Sequence, residues 1–416
     1  MPSERPARAK SHRRPELLIG LAAVTIAIDL TTIVLRRMHQ SGDFDISMEF
    51  GRRFLRGEFL YRGGMHFPYM PTAAMWFGFF ALLPVPVAFA LSYSLAIGSI
   101  VVVIFILHRT AFGSVRSKLS VSYFVEIATL LLASHYIVRD LDDGGLNSIL
   151  LGFVMFGVYS VARKHNAVGS LSIGLAIALK ATVGIFVPFL IWKRQWSLAL
   201  STAAFAALWI LLPAIRMGPA NWWVAQREWI NAAAGFALNH NPAAEFYYGY
   251  RNVVNQALQP ALQYLFAAKA GIQYSTARVL SALGALALVG CFGWATLHPY
   301  ESEMGVQWLT ESSAVLIIAL MLAPLAWVQH MVFALPAVYL VTASWFSNVR
   351  VAPAMNAGLV AYIVLVFGCS RTILGKAGYQ VALAWHIHTI ALLIILALVL
   401  NLRIGGQAQR AAVPLD

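Results

Sequence analysis

"VGSLSIGLAIALKATVGIFVPFLI", residues 168–191, carries a single charge, Lys180, in an otherwise apolar run. About 20 such residues cross the hydrocarbon core of a bilayer. A lysine near the middle of a span costs about 2.5–3.5 kcal/mol on insertion scales and is a functional residue by default. The run therefore reads as a membrane-spanning helix that keeps its cation for a purpose. About twelve such runs follow one another along the chain: 17–35, 71–84, 86–107, 119–138, 146–162, 168–191, 197–216, 277–297, 310–327, 331–346, 353–370 and 380–401. The 416 residues are 60% apolar and 11% charged, well under the quarter or so of charged residues in soluble domains. The expected fold class is an all-α polytopic membrane protein, one integral membrane domain over 1–416.

The net charge of +13 is spread over the loops between runs. Charge so placed sets orientation and meets anionic headgroups, so membrane lipids are expected partners and nucleic acid is not. Cys291 and Cys369 fall inside apolar runs and read as buried packing residues without a disulfide framework. Residues 1–16 form a basic tail; "IVLRRMHQ" rather than a small-residue cleavage site closes the first run, which reads as a retained span. The basic tail places the N-terminus in the cytoplasm, and 36–70 and 217–276 then become extracytoplasmic loops. One conflict is left: the same count puts "HRTAFGSVRSK" (108–118) outside, unless one of spans two to five is re-entrant.

The polar segment "SGDFDISMEFGRRFLRGEFLY" (41–61) stands out against this background. Helically, Phe44, Met48, Gly51, Leu55 and Phe59 share a stripe that Ile46, Phe50 and Phe54 widen. Glu49 can pair with Arg53. An apolar stripe with a basic opposite face suits a helix lying in the membrane interface. Asp43 is either the helix N-cap or a chemical group. In an extended backbone it could share a divalent cation with Asp45; that alternative is the weaker one, and no cofactor is expected.

Several motifs recur in order. After Asp43 come Ile46, Gly51, Gly57, Leu60–Tyr61 and "HFPYMP" (66–71, containing Tyr69); then "GGLNSILLG" (144–152, containing Asn147), "GLAIALKATVGIF" (174–186), "VVNQAL" (253–258) and "APLAWVQHMVFALPAV" (323–338). This series resembles glycosyltransferase family 87. That family's patterns run D-L-x-V-Y, A-G, G-x-x-L-Y and Y-P-P in the first loop, then G-Q-x-N, a lysine-bearing span, N-Q-S-L and S-P-x-S-W-x-H-H. Ser47, Leu146, Ala257 and Gln329 depart from it and mark a divergent member. The resemblance implies a GT-C fold of about twelve transmembrane helices, with interfacial helices in the extracytoplasmic loops. It also implies transfer of a sugar, mannose by analogy, from a polyprenyl-phosphate donor to a lipid or glycan acceptor, with Asp43 as general base. Tyr61, Tyr69 and Asn147 fall within matched motifs and are substrate-binding candidates.

The residues suit that chemistry. A carboxylate can take the proton of an attacking hydroxyl. A departing phosphate is best met by cations, here Lys180, with Arg52, Arg53 and Arg62 close to Asp43 in sequence. Lys180 could instead pair with Asp29 or Glu126 inside the membrane. His330 is either an interfacial histidine or a group near the donor phosphate or acceptor hydroxyl. Asn255 and Gln256 suit sugar hydroxyls or local capping. The aromatic residues of 217–276 (Trp222, Trp223, Trp229, Tyr247, Tyr248, Tyr250) are either a sugar platform or an interface belt. The rival class is a secondary transporter or flippase, which would suit the buried charges; no repeat between the chain halves supports it.

Overall fold

The computed structural model describes residues 31, 42–61, 69–112, 119–238, 249–297, 305–347 and 352–411. The basic tail, the span 17–35 apart from Thr31, and Asp29, Arg62, Tyr247 and Tyr248 lie outside these residues. Among the described residues every regular element is a helix. Five helices are long and apolar enough to cross a membrane: Val85–Ala111, Trp196–Met217, Tyr274–Ala295, Val328–Phe346 and Ile387–Ile404. The count becomes seven if two bent pairs each make one span, Tyr123–Asp142 with Leu146–Ala162 and Pro353–Gly368 with Arg371–Ala384. The chain is thus a polytopic, all-helical membrane protein.

Side-chain bonds fix which helix ends lie together. We label helices α1 (Asp43–Arg56), α2 (Pro71–Ala81), α3 (Val85–Phe112), α4 (Leu119–Asp142), α5 (Leu146–Ala162), α6 (Asn166–Leu179), α7 (Phe186–Trp192) and α8 (Trp196–Leu211). Helices α5 and α6 run antiparallel at close range. A Cβ on Gly157 would sit 3.0 Å from the Gly169 carbonyl, and one on Gly169 would sit 2.9 Å from that of Gly157. Only small residues allow such an approach between helices in a membrane. The register brings the Lys180 ammonium to Asn147, 2.7 Å away at the start of α5.

At the far end of α5, Trp308 donates to the Val158 carbonyl at 2.8 Å, and Phe189 stacks on Trp308. Lys193, Thr296, Glu311 and Arg403 meet nearby. Call these the Lys180 end and the Lys193 end.

The predicted single span 168–191 is therefore corrected. Its backbone turns at Lys180, which is extended (φ −147°, ψ 106°) between α6 and a 3-10 turn, Ala181–Ile185, that leads into α7. Helix α6 rises to the Lys180 end and α7 returns from it.

The span 71–84 is corrected too. Helix α2 has 11 residues, about 16 Å at 1.5 Å per residue, about half of a hydrocarbon core of roughly 30 Å. Its Thr72 bonds the Trp209 carbonyl near the end of α8, and α8 runs parallel to α6 through the Ser170–Ser201 bond. Ser92, just into α3, bonds the Gly144 carbonyl at 2.7 Å. Both flanks of α2 thus lie at the Lys180 end, so α2 does not cross to the Lys193 end. Helix α3 therefore carries Arg109 to the Lys193 end.

Further differences follow the same logic. The predicted span 380–401 is interrupted: Arg371–Ala384 lies at 88° to the helix before it, and a separate helix starts at Ile387. Helix α1 buries Phe44, Met48, Phe50, Gly51 and Phe54, but Ile46 is exposed. Gly51 rests on the Phe77 backbone, where a Cβ would lie 2.5 Å away. The cysteines are free but not buried: Cys291 is exposed on its helix and Cys369 half-buried.

Candidate functional site

Helix α1 opens at Gly42, its N-cap, whose N–H is held at 2.9 Å by the Asp45 carboxylate. The cap is therefore Asp45 reaching back, not Asp43. Asp43 is the first helical residue, exposed, and bonded to no described residue. Asp43 and Asp45 stand two apart on a helix and point about 200° apart, so the extended pair that a shared cation needs is not formed. No group of three or more His, Cys, Asp or Glu is placed to hold a metal among the described residues.

Phe44 seats this helix start on the turn between α4 and α5. A Cβ on Gly144 would meet the Phe44 ring at 2.6 Å, which, with φ +95°, requires glycine there. That turn carries three acids absent from the sequence reading. Asp140 is buried and saturated: it accepts from Asn147 N and Nδ2 and from Ser148 N and Oγ, at 2.6–3.3 Å, capping α5. Asp142 is held by Arg139 at 3.1 Å. Asp143 is the acid next to Asp43. Burial pushes its carboxyl up to about 7; Arg139 opposes the shift, while the charges of Asp43, Asp142 and Asp140 add to it.

Lys180 is almost fully buried. Its partner is not Glu126, which pairs with His108 at 2.9 Å. It is Asn147, whose Oδ1 takes the ammonium while its Nδ2 holds Asp140. The rings of Tyr69 (6.0 Å) and Phe333 (5.8 Å) flank the ammonium. Tyr61 donates to the Tyr69 carbonyl at 2.9 Å, tying the first loop to the same cation.

His330 lies three residues before Phe333. Its Nδ1 accepts the Trp327 N–H at 3.2 Å, and its ring stacks on that indole. Asn255 and Gln256 clamp this segment from the other side. Asn255 Nδ2 bonds the Pro324 carbonyl, and its Oδ1 takes the Ala326 N–H. Gln256 N bonds the Ala326 carbonyl at 2.7 Å. Arg52 pairs with Glu49 at 3.4 Å, and no bond links it to the Lys180 group.

The structure thus gathers Asp43, Tyr61, Tyr69, Asn147, Lys180, His330, Asn255 and Gln256 at one end of the bundle. It adds Asp140 and Asp143, for which the sequence offered one signal: "DLDDGG" at a helix junction. An exposed carboxylate lies on one side, and on the other a sheltered ammonium and an imidazole. This arrangement can take a proton at one point and steady an anion at another.

The sequence model of glycosyltransferase family 87 matches residues 67–324. A protein of Mycolicibacterium smegmatis, named polyprenol-phosphate-mannose-dependent alpha-(1-2)-phosphatidylinositol mannoside mannosyltransferase, is 26% identical over 344 residues, which cover 74% of this chain and 71% of that protein. No solved structure matches.

Proposed function

The chain belongs to glycosyltransferase family 87 and is a membrane glycosyltransferase, and we propose that it moves a sugar, mannose in the first instance, from a polyprenyl-phosphate donor to a glycolipid or cell-envelope glycan. The observation that carries this reading is Lys180 in its cradle of Asn147, Tyr69 and Phe333, facing the same end as Asp43. In the proposed reaction the acceptor hydroxyl oxygen attacks the anomeric carbon. The bond from that carbon to the phosphate oxygen breaks, and the electron pair leaves with polyprenyl phosphate. Asp43 takes the hydroxyl proton. Lys180, with His330 nearby, steadies the charge that develops on the leaving phosphate. Tyr61, Tyr69 and Asn147 hold Lys180 and the first loop in place, while Asn255 and Gln256 fix the segment that carries His330. Arg52 would meet donor headgroups at the rim. The displacement uses no metal.

The fold we propose is GT-C, with about twelve crossings once the shorter apolar helices are counted. We also place the Lys180 end on the extracytoplasmic face and the N-terminus in the cytoplasm. The basic turns support that orientation. Arg163 with Lys164, and Lys193 with Arg194, sit in short turns at the opposite end, and short basic turns favour the cytoplasm. A Glu58→Cys variant should then react with an impermeant maleimide on intact cells, and Lys164→Cys only after permeabilisation. The reverse pattern would invert the orientation.

The central test is transfer itself. Purified protein with radiolabelled polyprenyl-phosphate-mannose and the host's lipids should yield labelled glycolipid. Lys180→Met should lower kcat by about 10²–10³-fold, the usual loss of one preorganised charge donor. Absence of product from the unsubstituted protein would overturn the donor assignment.

A further inference from the structure

Asp140 caps α5, yet two of its four bonds go to side chains, and one of those leads on to Lys180. The chain turns back after Asp140, where the Gly145 N–H donates to the Asp140 carbonyl at 2.8 Å. That turn brings the carboxylate to the first residues of α5, and its two oxygens then divide. Oδ2 takes Ser148 N at 2.8 Å and Ser148 Oγ at 2.6 Å, which is ordinary capping. Oδ1 takes Asn147 Nδ2 at 2.8 Å and, less closely, Asn147 N at 3.3 Å. The other end of that side-chain amide, Asn147 Oδ1, accepts from the Lys180 ammonium at 2.7 Å. All three side chains are buried.

The chemistry of the three groups leaves the amide one orientation. An ammonium has only donors and a carboxylate only acceptors. Asn147 Nδ2 must therefore face Asp140, and Oδ1 must face Lys180. Capping alone would be met by Ser148 and the backbone; the link through the Asn147 side chain is additional. Charge also acts along it, since Asp140 and Lys180 attract one another across the amide.

An acid in direct contact with Lys180 would occupy its donors and repel an arriving phosphate at short range. Held one amide away, Asp140 balances the buried charge and takes none of those donors. Among the described residues Asn147 Oδ1 is the one acceptor atom bonded to the ammonium, while Tyr69 and Phe333 present ring faces. Two of its three N–H groups are thus left without an acceptor atom and can meet an anion. We infer, resting on the glycosyl-transfer reading in which Lys180 meets the donor phosphate, that Asp140 is a positioning residue: through Asn147 it aims the Lys180 ammonium at the phosphate of the lipid substrate. The turn that holds Asp140 also seats Phe44, next to Asp43, against Gly144, so one junction sets both the base and the cation.

Asp140→Asn puts a donor where the Asn147 amide now finds an acceptor, so that amide turns over and presents Nδ2 to the ammonium. In nanodiscs, tritiated polyprenyl phosphate should bind Asp140→Asn about tenfold more weakly than the unsubstituted protein, the loss of roughly one hydrogen bond to a charged group. Transfer from polyprenyl-phosphate-mannose should lose about as much in kcat. Asn147→Ala should show the same losses, and adding Asp140→Asn to it should cost no further affinity, because the path from Asp140 is already cut. Ser148→Ala separates the cap from the aim. It removes the bond to Oδ2, so it should lower the unfolding temperature while polyprenyl phosphate affinity stays unchanged. Unchanged affinity in Asp140→Asn overturns the inference, as do equal losses in Asp140→Asn and Ser148→Ala, losses that multiply in the double variant, or no binding to the unsubstituted protein. If Asp140→Asn does not fold, full affinity in Asn147→Ala is the overturning result. Affinities in the expected order, in a protein that transfers nothing, would sustain the role of Asp140 and defeat the transfer reading instead.

Discussion

Asp43→Asn is expected to lower kcat by about 10²–10⁴-fold, the usual contribution of a positioned general base, while leaving the fold intact. The structural side of that expectation is specific. Asp43 is exposed and its side chain makes no bond to a described residue, while the cap of α1 is made by Asp45 on Gly42. An acid in the first turn is worth about 0.3–1 kcal/mol against the helix dipole, so asparagine costs little stability. Its neighbour gives the experiment a second axis. Asp143 titrates near 7, far above the ordinary carboxylate range, chiefly because it is buried. Below that pH it is neutral; above it a second negative charge stands beside Asp43 and strengthens it as a base. The rate should therefore rise across pH 7, and Asp143→Asn should flatten the rise. Stability moves the other way. A carboxyl raised in the folded state contributes fully below its ordinary value, and that contribution is lost as pH rises through about 7. The unsubstituted protein should thus unfold at lower temperature above pH 7, and Asp143→Asn should not. Asp43→Asn retaining more than a tenth of the activity would remove Asp43 from the role of base.

The parts of this arrangement that could be read from the sequence are those in which energy and spacing speak alone. Lys180 was legible because an ammonium in an apolar run is too expensive to be incidental. Helix α1 was legible because its apolar residues recur at helical spacing; Ile46 alone was misread, since an eight-residue stripe is wider than the face that α2 and Gly144 cover. Backbone reversals were not legible. Hydropathy cannot tell a helix that crosses from one whose two flanks stay at the same end, and in 71–84 only the short length hinted at the second. The extended residue at the turn is Lys180 itself, and Gly184 comes only four residues later, so 168–191 reads as continuous. Asp140 and Asp143 were passed over, because they follow the stretch whose topology the sequence left open. The break at Trp385 and His386 was missed for a similar reason, inside "ALAWHIHTI", which reads as part of one long span although one helix ends at Ala384 and the next starts at Ile387.

At the opposite end of the bundle, Glu311→Ala is expected to cost about 3–5 kcal/mol, the loss seen when one partner is removed from a buried ion pair. Glu311 is fully buried and holds two cations: Lys193 at 3.2 Å and Arg403 at 2.7 Å, both almost without exposure. Lys193 also donates to the Thr296 carbonyl at 2.9 Å. The three charges come from the turn before α8, from Val306–Leu322 and from Ile387–Ala411, so the triad ties together helices that are distant in sequence. Removing the carboxylate takes away the acid that bridges two buried cations. Removing one cation is different, because it leaves a balanced pair. Arg403→Met, which keeps the apolar stem volume, should therefore cost far less than Glu311→Ala. The double variant Glu311→Ala with Lys193→Met should recover part of the loss, since one cation fewer then lacks its carboxylate. Thermal unfolding in detergent orders these variants. Below their melting temperatures all of them should keep transfer activity, because the triad lies at the end of α5 remote from Lys180. Equal unfolding temperatures for Glu311→Ala and the unsubstituted protein would show that the triad braces nothing. Loss of transfer in a still-folded Glu311→Ala would mean that the two ends are coupled through α5 and α7, which join them directly.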